Sequence, residues 1–316
     1  MSTIEAPKML GPFQVLRQIS TGRLGETYLC KRISGTARDH VPFVAKTYRP
    51  DLVEMRKDVD ALERPLHRNL IQYRQVGFDA EAERYYVIMD RLQVEPHSVD
   101  LMQNRRPKFN FKQKVKRFVE VGEALATLHE QVGNDGSPLY HGNLRPRSVL
   151  VRRPQADYHM VISDYGFDYK SDEQLYREDD KYFQLWLFMA PEMILRSVPE
   201  HWTKNGPPPA PCPASDVYSW TLAMVYSLNG GRDGFHYMTG KTQGDDRYDE
   251  RVREDIAILY QKKLDVRDRW TLVVGGKAEL ERERFIEFLF RSLEPDPRDR
   301  FGTMHEALQA FRKCLL

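Results

Sequence analysis

The sequence has little cysteine, and its cysteines form no covalent or metal-binding framework. Three occur in 316 residues, Cys30, Cys212 and Cys314, and they lie far apart. A small, odd and dispersed set is typical neither of a disulfide scaffold nor of a zinc site, and it favours a reducing compartment. The first ten residues also lack the apolar stretch of a secretory signal. We therefore expect a cytoplasmic protein.

Long hydrophobic runs and an excess of one charge are also missing. The longest apolar-rich window, Trp220–Leu228, is too short to cross a bilayer, which takes about 20 residues. The 48 Lys and Arg residues nearly balance the 46 Asp and Glu residues. Surfaces that bind nucleic acids or anionic membranes usually carry a concentrated basic excess. The composition therefore predicts a soluble protein with no membrane span and no nucleic-acid partner.

The first third of the chain is predicted to be rich in strands. Phe13–Arg32 alternates apolar and polar residues around glycines, which indicates a strand, a glycine turn and a second strand. Further strands are predicted at Val41–Tyr48, Leu70–Gly77 and Arg84–Met89. Between them, Asp51–Leu66 has apolar residues at a helical spacing, so we expect one helix there.

Beyond residue 98 the pattern becomes mostly helical. The predicted helices are Phe111–Gln131, Ser215–Leu228, Glu250–Leu264, Glu279–Ser292 and Thr303–Leu315. Pro199–Pro213 holds six prolines, which predicts a loop. A small strand-rich part thus precedes a larger helical part. The length of the chain suits one large domain or two lobes, each with its own apolar interior.

Three short motifs carry most of the information about function. His141–Leu150 reads H-G-N-L-R-P-R-S-V-L, Ser163–Gly166 reads S-D-Y-G, and Ala190–Glu192 reads A-P-E. In this order they resemble the catalytic loop, the D-F-G signature and the A-P-E signature of protein kinases. The L-R-P within the first motif is closer to the Ser/Thr branch of that family than to the tyrosine branch.

The resemblance to protein kinases covers nearly the whole chain, from about Phe13 to about Phe311. It implies an α+β, two-lobe protein kinase-like fold over residues 13–316. Residues 13–91 would form the β-rich lobe and 92–316 the helical lobe, while 1–12 would be an N-terminal extension.

Segments of the strand-rich part resemble the elements with which kinases hold a nucleotide. Ile19–Tyr28 is similar to the glycine loop, although a G-x-x-G between strands is also common in an ordinary hairpin turn. Phe43–Lys46 is similar to V-A-I-K, whose Lys holds phosphates and pairs with a helix Glu; Asp58 stands in that acid's place. The residues implied to contact a nucleotide are Gly22, Gly25, Ala45, Lys46, Asp58, Asp90, Leu92 and Leu150.

The groups that transfer phosphate in kinases differ in this sequence. Asn143 stands in place of the catalytic-base Asp, and a neutral amide cannot hold the proton. Arg145 replaces the Lys that contacts the γ-phosphate. Asp164 keeps the metal-binding position, whereas Ser148 replaces the Asn that binds a second Mg²⁺ and offers a weaker ligand. The resemblance therefore implies weak ATP binding that depends less on Mg²⁺ or Mn²⁺ than it does in an active kinase.

Other matching residues belong to the architecture of the kinase fold. Asp216 is similar to the Asp that braces the backbone of the catalytic loop. Arg300 is similar to the Arg that pairs with the Glu of A-P-E, which is Glu192 in this sequence. Tyr165 is expected to take the Phe position of D-F-G and to stack with His141 and Leu62.

Because architectural residues match and transfer residues do not, the resemblance favours a pseudokinase that acts as an allosteric or scaffolding module. Its partner would be a protein, with an active kinase as one candidate. The candidate surfaces for that partner are Tyr169–Phe188 and the loop Pro199–Pro213. The alternatives are that the apolar residues before A-P-E pack into the helical lobe, which we favour, and that both segments are solvated loops. Two alternatives stay open: a slow, active Ser/Thr-type kinase, and a scaffold with an empty cleft.

Overall fold

The structure is a computed structural model that describes a large part of the chain. The described residues are 9–22, 25–33, 42–51, 53–55, 67–92, 109–133, 135–145, 148–152, 159–169, 188–196, 206–228 and 280–316. The predicted helix at Glu250–Leu264 lies outside them, as do Asp58, Leu62 and most of the predicted Tyr169–Phe188 surface. Within these stretches, no helix is long and apolar enough to cross a membrane.

An antiparallel sheet forms the first lobe. The strands of this region are β1 (Met9–Leu10), β2 (Phe13–Thr21), β3 (Glu26–Arg32), β4 (Phe43–Tyr48), β5 (Val53–Met55), β6 (Tyr73–Asp79) and β7 (Arg84–Asp90). Six of them form one sheet in the order β1-β2-β3-β4-β7-β6. The predicted strands are therefore confirmed, with one shifted start: Leu70 lies before β6 and bridges to Ile162 instead.

Alternation along the strands gives this sheet two apolar faces. One face carries a separate cluster that includes Tyr28, Cys30, Ala45 and Ile88. The other face, with Tyr48, Val87 and Met89, belongs to the main core that continues into the helical lobe. The sheet begins at Met9, inside the segment that we expected to be an N-terminal extension, and Leu10 is fully buried.

The helix predicted from Asp51 is wrong at its start. Val53–Met55 is a strand that pairs antiparallel with a later strand, β10 (Phe167–Tyr169). Val53 is fully buried, and the pairing supplies its backbone with hydrogen bonds. The apolar spacing by itself indicated a helix. It carries no information about the distant segment whose pairing makes these residues a strand.

Helices and one hairpin form the second lobe. In the described residues they are α1 (Phe111–His129), β8 (Val149–Arg152), β9 (His159–Ile162), α2 (Pro191–Arg196), α3 (Pro213–Leu228), α4 (Arg282–Ser292) and α5 (Met304–Arg312). Asn110 and Gln113 form a reciprocal capping box at the start of α1. The predicted loop before α3 ends one residue earlier than expected, because Pro213 is the first helical residue, where a missing N–H costs nothing.

Packing in the helical lobe centres on Trp220 of α3. Its ring is fully buried, and its indole N–H donates to the carbonyl of Phe118 at 3.0 Å. The rings of Phe288 and Phe311 meet it edge-on, at centroid distances of 6.2 and 5.6 Å. α1, α3, α4 and α5 thus share one core, which gives the loops between them a fixed base.

Backbone hydrogen bonds join the two lobes close to Asp164. Ile71 N–H donates to the Ile162 carbonyl at 2.8 Å, and Ile162 N–H donates to the Asn69 carbonyl at 2.7 Å. The Asn69 side chain also donates to the Met160 carbonyl at 2.5 Å. The segment that leads into β6 is therefore tied to the hairpin that precedes Asp164.

Candidate functional site

The described part of the His141–Leu150 loop is held in place by one buried carboxylate. Asp216, in the first turn of α3, accepts the backbone N–H of His141 at 2.5 Å and that of Gly142 at 2.9 Å. Gly142 has a φ of 76°, a conformation that glycine adopts without steric cost. The prediction that Asp216 braces this loop is confirmed.

Two buried histidines complete the support, and their hydrogen bonds define the tautomers. His129 accepts the Met304 N–H on Nδ1 at 3.1 Å, so its Nε2 carries the proton that points to Asp216 at 3.0 Å. His141 accepts the Asn143 N–H on Nδ1 at 3.1 Å and points Nε2 at the Ser163 carbonyl at 2.9 Å. Burial alone would raise the pKa of Asp216, but the hydrogen bond from His129 and the other donors hold it below its ordinary value.

The side-chain amide of Asn143, in the same loop, has an N–H group that makes no hydrogen bond in the described part of the chain. The residue is 6 % exposed. An unsatisfied buried amide costs about 1–3 kcal/mol. As a neutral amide, the side chain is unsuited to take up a proton.

The Ser148 hydroxyl closes the loop on itself. It accepts the Arg145 N–H at 3.0 Å and lies 3.0 Å from the carbonyl of Asn143 and 3.1 Å from that of Arg145, to either of which it can donate. Ser148 is also fully buried. A metal ion at this oxygen would have to displace loop hydrogen bonds, which makes the hydroxyl a poor ligand.

Asp164 lies opposite the sheet and contacts two side chains of β4. The Lys46 ammonium is 2.6 Å from its Oδ1, and the Tyr48 hydroxyl donates to the same oxygen at 3.0 Å. Asp164 is 5 % exposed and has a φ of 67°, which is uncommon for a non-glycine residue. Burial alone would raise its pKa, but the charge and hydrogen bond of Lys46 hold that pKa below the ordinary value.

The partner of Lys46 among the described residues is therefore Asp164. The predicted pairing with Asp58 stays a prediction, because Asp58 lies outside the described residues. Tyr48 was not singled out from the sequence. The signal that could have found it is its spacing, since a residue two positions after Lys46 on a strand lies on the same face.

The side chains of Ala45 and Lys46 lie on opposite faces of the sheet. Strand alternation puts the two side chains on opposite faces of β4, and Ala45 packs, fully buried, in the separate cluster with Tyr28 and Ile88. Val44 shares the Lys46 face, pairs across strands with Met89 and packs against the main core. The residue of this strand that can line the cleft is Val44, and the assignment of Ala45 as a nucleotide contact is corrected accordingly.

The residues that the resemblance assigned to the adenine ring lie on β7, directly after it and on β8. Met89 is buried, and Leu92 and Leu150 are partly buried against the main core. The Asp90 side chain is held by a bidentate pair with Arg74 at 2.7 and 2.6 Å, so it is directed to β6. Asp90 could therefore meet a nucleotide only through its backbone, as the resemblance implied.

The glycine turn packs tightly against β4. Gly22 N–H donates to the Gly25 carbonyl at 2.8 Å, which closes the turn. Gly25 has a φ of 154°, and a Cβ atom there would lie 1.8 Å from the Thr47 carbonyl oxygen. Glu26, the next residue, accepts from the Thr47 hydroxyl at 3.0 Å and pairs with Arg84. Gly25 is therefore required by the close approach of two backbones.

Tyr165 has a different stacking partner from the one we expected. Its ring lies against Tyr73 with centroids 4.6 Å apart and planes 18° apart. The ring of His141 is 6.3 Å away and tilted by 60°, so it is a neighbour that does not stack. The Tyr73 hydroxyl donates to the Tyr165 carbonyl at 2.9 Å, and the Tyr165 hydroxyl donates to Ile71. This pair fixes the residue that follows Asp164.

The predicted pair of Arg300 and Glu192 is confirmed. The guanidinium donates to both carboxylate oxygens, at 2.7 and 2.9 Å, and both side chains are fully buried. The Ser215 hydroxyl donates to the same carboxylate at 2.6 Å. The pair joins α2 to the segment before α5.

The side chains fit one metal ion better than two. No group of three or more His, Cys, Asp or Glu in the described residues could hold a metal ion by itself. Mg²⁺ is often bound by one or two carboxylates together with substrate phosphates, and Asp164 can supply one such carboxylate. A second ion does not fit, because the Ser148 oxygen is held by the loop.

Comparison with known proteins agrees with this geometry. A family model described as protein kinase domain matches residues 13–311. The solved kinase domain of PknI from Mycobacterium tuberculosis is similar over 98 % of this chain and 99 % of that one, with 16 % identity and a TM-score of 0.58. A double mutant of the same domain gives 18 % identity and a TM-score of 0.57, over the same shares. No curated protein matches the chain.

Proposed function

The chain belongs to the protein kinase domain family, and from that membership we propose that it binds ATP weakly and serves as an interaction module with impaired phosphoryl transfer. The observation that supports this most directly is the Asn143 side chain. It sits in a loop braced by Asp216, yet it offers a buried donor where a transferase needs a base.

Nucleotide binding is supported by the groups that remain around Lys46. The Lys46 side chain is 26 % exposed, so its ammonium could contact phosphate oxygens as well as Asp164. The apolar side chains of Val44, Leu92 and Leu150 are partly exposed on the main-core side. A kinase-family nucleotide brings its own phosphate oxygens, which the Lys46 ammonium can meet without a metal ion; if Mg²⁺ accompanied the phosphates, Asp164 would be the carboxylate available to it.

Impaired transfer follows from two losses in one loop. A positioned general base typically contributes about a hundredfold to ten-thousandfold to a rate, and the amide of Asn143 cannot supply that contribution. The Ser148 hydroxyl is held by the loop backbone, so the second metal ion lacks a ligand there. The two losses affect different steps: the base acts on the substrate hydroxyl, and the second metal ion acts on the phosphate oxygens.

A slow, active kinase is the second candidate function. The bracing of the loop by Asp216 favours it, because phosphoryl transfer depends mainly on positioning and electrostatics. Lys46, Arg145 and Asp164 would supply the charges. In this alternative Asn143 would orient a substrate hydroxyl by hydrogen bonding without accepting its proton.

As an interaction module, the domain would act on a protein partner, with an active kinase as one candidate. The two proposed surfaces remain Tyr169–Phe188 and Pro199–Pro213. Of the second, the described part has exposed side chains at Pro207 and Ala210, while Arg196 donates to the Pro208 carbonyl at 3.1 Å and anchors the loop. A pull-down with Pro207→Ser, which leaves that anchor intact, would test the loop without removing its support.

Radiolabel transfer from ATP to the protein itself and to a generic protein substrate tests the proposal. We expect no transfer above the level of an Asp164→Ala control, while ATP still raises the melting temperature. Transfer at a rate clearly above that control, abolished by Lys46→Met, would establish the slow kinase instead.

A further inference from the structure

Tyr48 lies at the centre of the contacts around Asp164, although no motif points to it. The side chain is fully buried, and its ring stacks on Phe167 with centroids 4.3 Å apart and planes 27° apart. Its hydroxyl donates to Asp164 Oδ1 at 3.0 Å. The Lys46 ammonium lies 5.2 Å from the centre of the same ring. Tyr48 therefore contacts residues on both sides of the glycine of the S-D-Y-G motif.

The hydroxyl of Tyr48 does more than fill space. A phenylalanine would make the same stack with Phe167, but it would leave Asp164 with one fewer donor. Asp164 holds a left-handed backbone conformation, which costs of the order of 1–3 kcal/mol and persists where surrounding contacts determine it. Two donors from one strand, Lys46 and Tyr48, converge on the same oxygen of this residue. They fix the direction of the carboxylate.

We infer that Tyr48 is a positioning residue of the nucleotide site: its hydroxyl holds Asp164 against Lys46, so that an ammonium, and not a divalent cation, neutralises the carboxylate. The inference rests on the proposed binding of a nucleotide. With Oδ1 taken by two protein donors, a metal ion gains less from Asp164. Asp164 would then recruit Mg²⁺ only weakly. The affinity for the phosphates of a nucleotide would therefore be similar with and without Mg²⁺.

Tyr48→Phe tests this role by calorimetric titration of ATP, once in excess EDTA and once in excess Mg²⁺. In the unmodified protein we expect similar dissociation constants in the two conditions. In Tyr48→Phe the Asp164 carboxylate loses a donor, so Mg²⁺ should tighten binding by about tenfold relative to EDTA, which is the scale of one hydrogen bond to a charged group. The matched control is Tyr86→Phe, which removes a hydroxyl bonded to Gln75 on the opposite face of the sheet.

A second measurement does not require nucleotide. Amide hydrogen exchange of residues 163–167 should be about tenfold faster in Tyr48→Phe, because the backbone at Asp164 loses an anchor. Tyr86→Phe should leave it unchanged. If the unmodified protein binds no ATP, the proposed function fails and the exchange rate alone decides the role of Tyr48. An unchanged exchange rate, or an unchanged Mg²⁺ dependence where ATP does bind, would overturn the inference.

Discussion

Lys46 and Asp164 belong to different lobes, and their side chains form an ion pair across the lobes, with Nζ 2.6 Å from Oδ1. Lys46 lies on the fourth strand of the sheet, and Asp164 follows the hairpin of the helical lobe. The pair keeps a buried carboxylate charged without help from a metal ion. It also sets the position of the cation that a nucleotide would meet.

Lys46→Met should destabilise the protein and change how its stability depends on pH. At present the pKa of Asp164 is lowered, so this carboxylate stabilises the fold above its unfolded pKa of about 3.9, and the contribution is lost as the pH falls. Without the ammonium, burial dominates and raises the pKa, so the charged carboxylate becomes unfavourable. We expect a loss of about 3 kcal/mol at pH 7, the lower end of the range for a broken buried pair because the Lys46 side chain is 26 % exposed, and a smaller loss near pH 4.

Urea unfolding at the two pH values checks this, with Lys112→Met as the control, because Lys112 is exposed on α1. A loss for Lys46→Met that is equal at both pH values would show that the ion pair does not hold Asp164 in its charged form.

Asn143→Asp alone should not restore efficient phosphoryl transfer. The substitution returns a base, but the Ser148 oxygen would still accept the Arg145 N–H while its hydroxyl donates to a loop carbonyl, so it would stay a poor ligand for a second metal ion. Steady-state radiolabel transfer measures the outcome. A turnover of the order of 1 per second or more, typical of active kinases, would mean that the base was the one group missing.

Glu192→Ala should be among the most destabilising substitutions in the helical lobe. It leaves the Arg300 guanidinium buried without its carboxylate, which typically costs about 3–5 kcal/mol. Arg298→Ala is the control: it removes a pair with Asp296 whose Arg side chain is 80 % exposed, and it should change stability by about 0.5 kcal/mol or less. Comparable losses in chemical denaturation would contradict the structural role of the buried pair.

Gly25→Ala should destabilise the strand-rich lobe far more than Gly136→Ala. A methyl group at Gly25 would collide with the Thr47 carbonyl, and the backbone there cannot yield without breaking the sheet, whereas nothing lies within 4 Å of a Cβ at Gly136. At Gly136 the φ of 81° alone would strain an alanine by about 1–2 kcal/mol. At Gly25 the φ is 154° and the collision adds to the backbone cost, so the larger loss is expected there. Thermal unfolding of the two variants measures it.

The resemblance to protein kinases predicted best the residues that hold the architecture of the fold. Asp216 and Arg300 could be assigned because each role requires one chemical group, and the structure puts both in contact with the expected partners. Ala45 was assigned by matching letters to a motif, but strand alternation decides which residue faces the cleft, and that residue is Val44.

Local sequence patterns could not predict contacts between segments that are far apart in the chain. The helical spacing after Asp51 could not reveal that Val53–Met55 pairs with Phe167–Tyr169, more than a hundred residues away. The bond between Tyr48 and Asp164 was hidden for the same reason. In both cases the second segment supplies the hydrogen bonds that determine the local structure.

The most direct test of nucleotide binding is to titrate the purified protein with ATP and to measure its melting temperature at each concentration. We predict a saturable rise that is present in EDTA, changes little with Mg²⁺ or Mn²⁺, and disappears in Lys46→Met. Ligand at about 100 times its dissociation constant should stabilise the fold by roughly 2.7 kcal/mol. No shift at millimolar ATP with any divalent metal would contradict the account and leave a scaffold with an empty cleft.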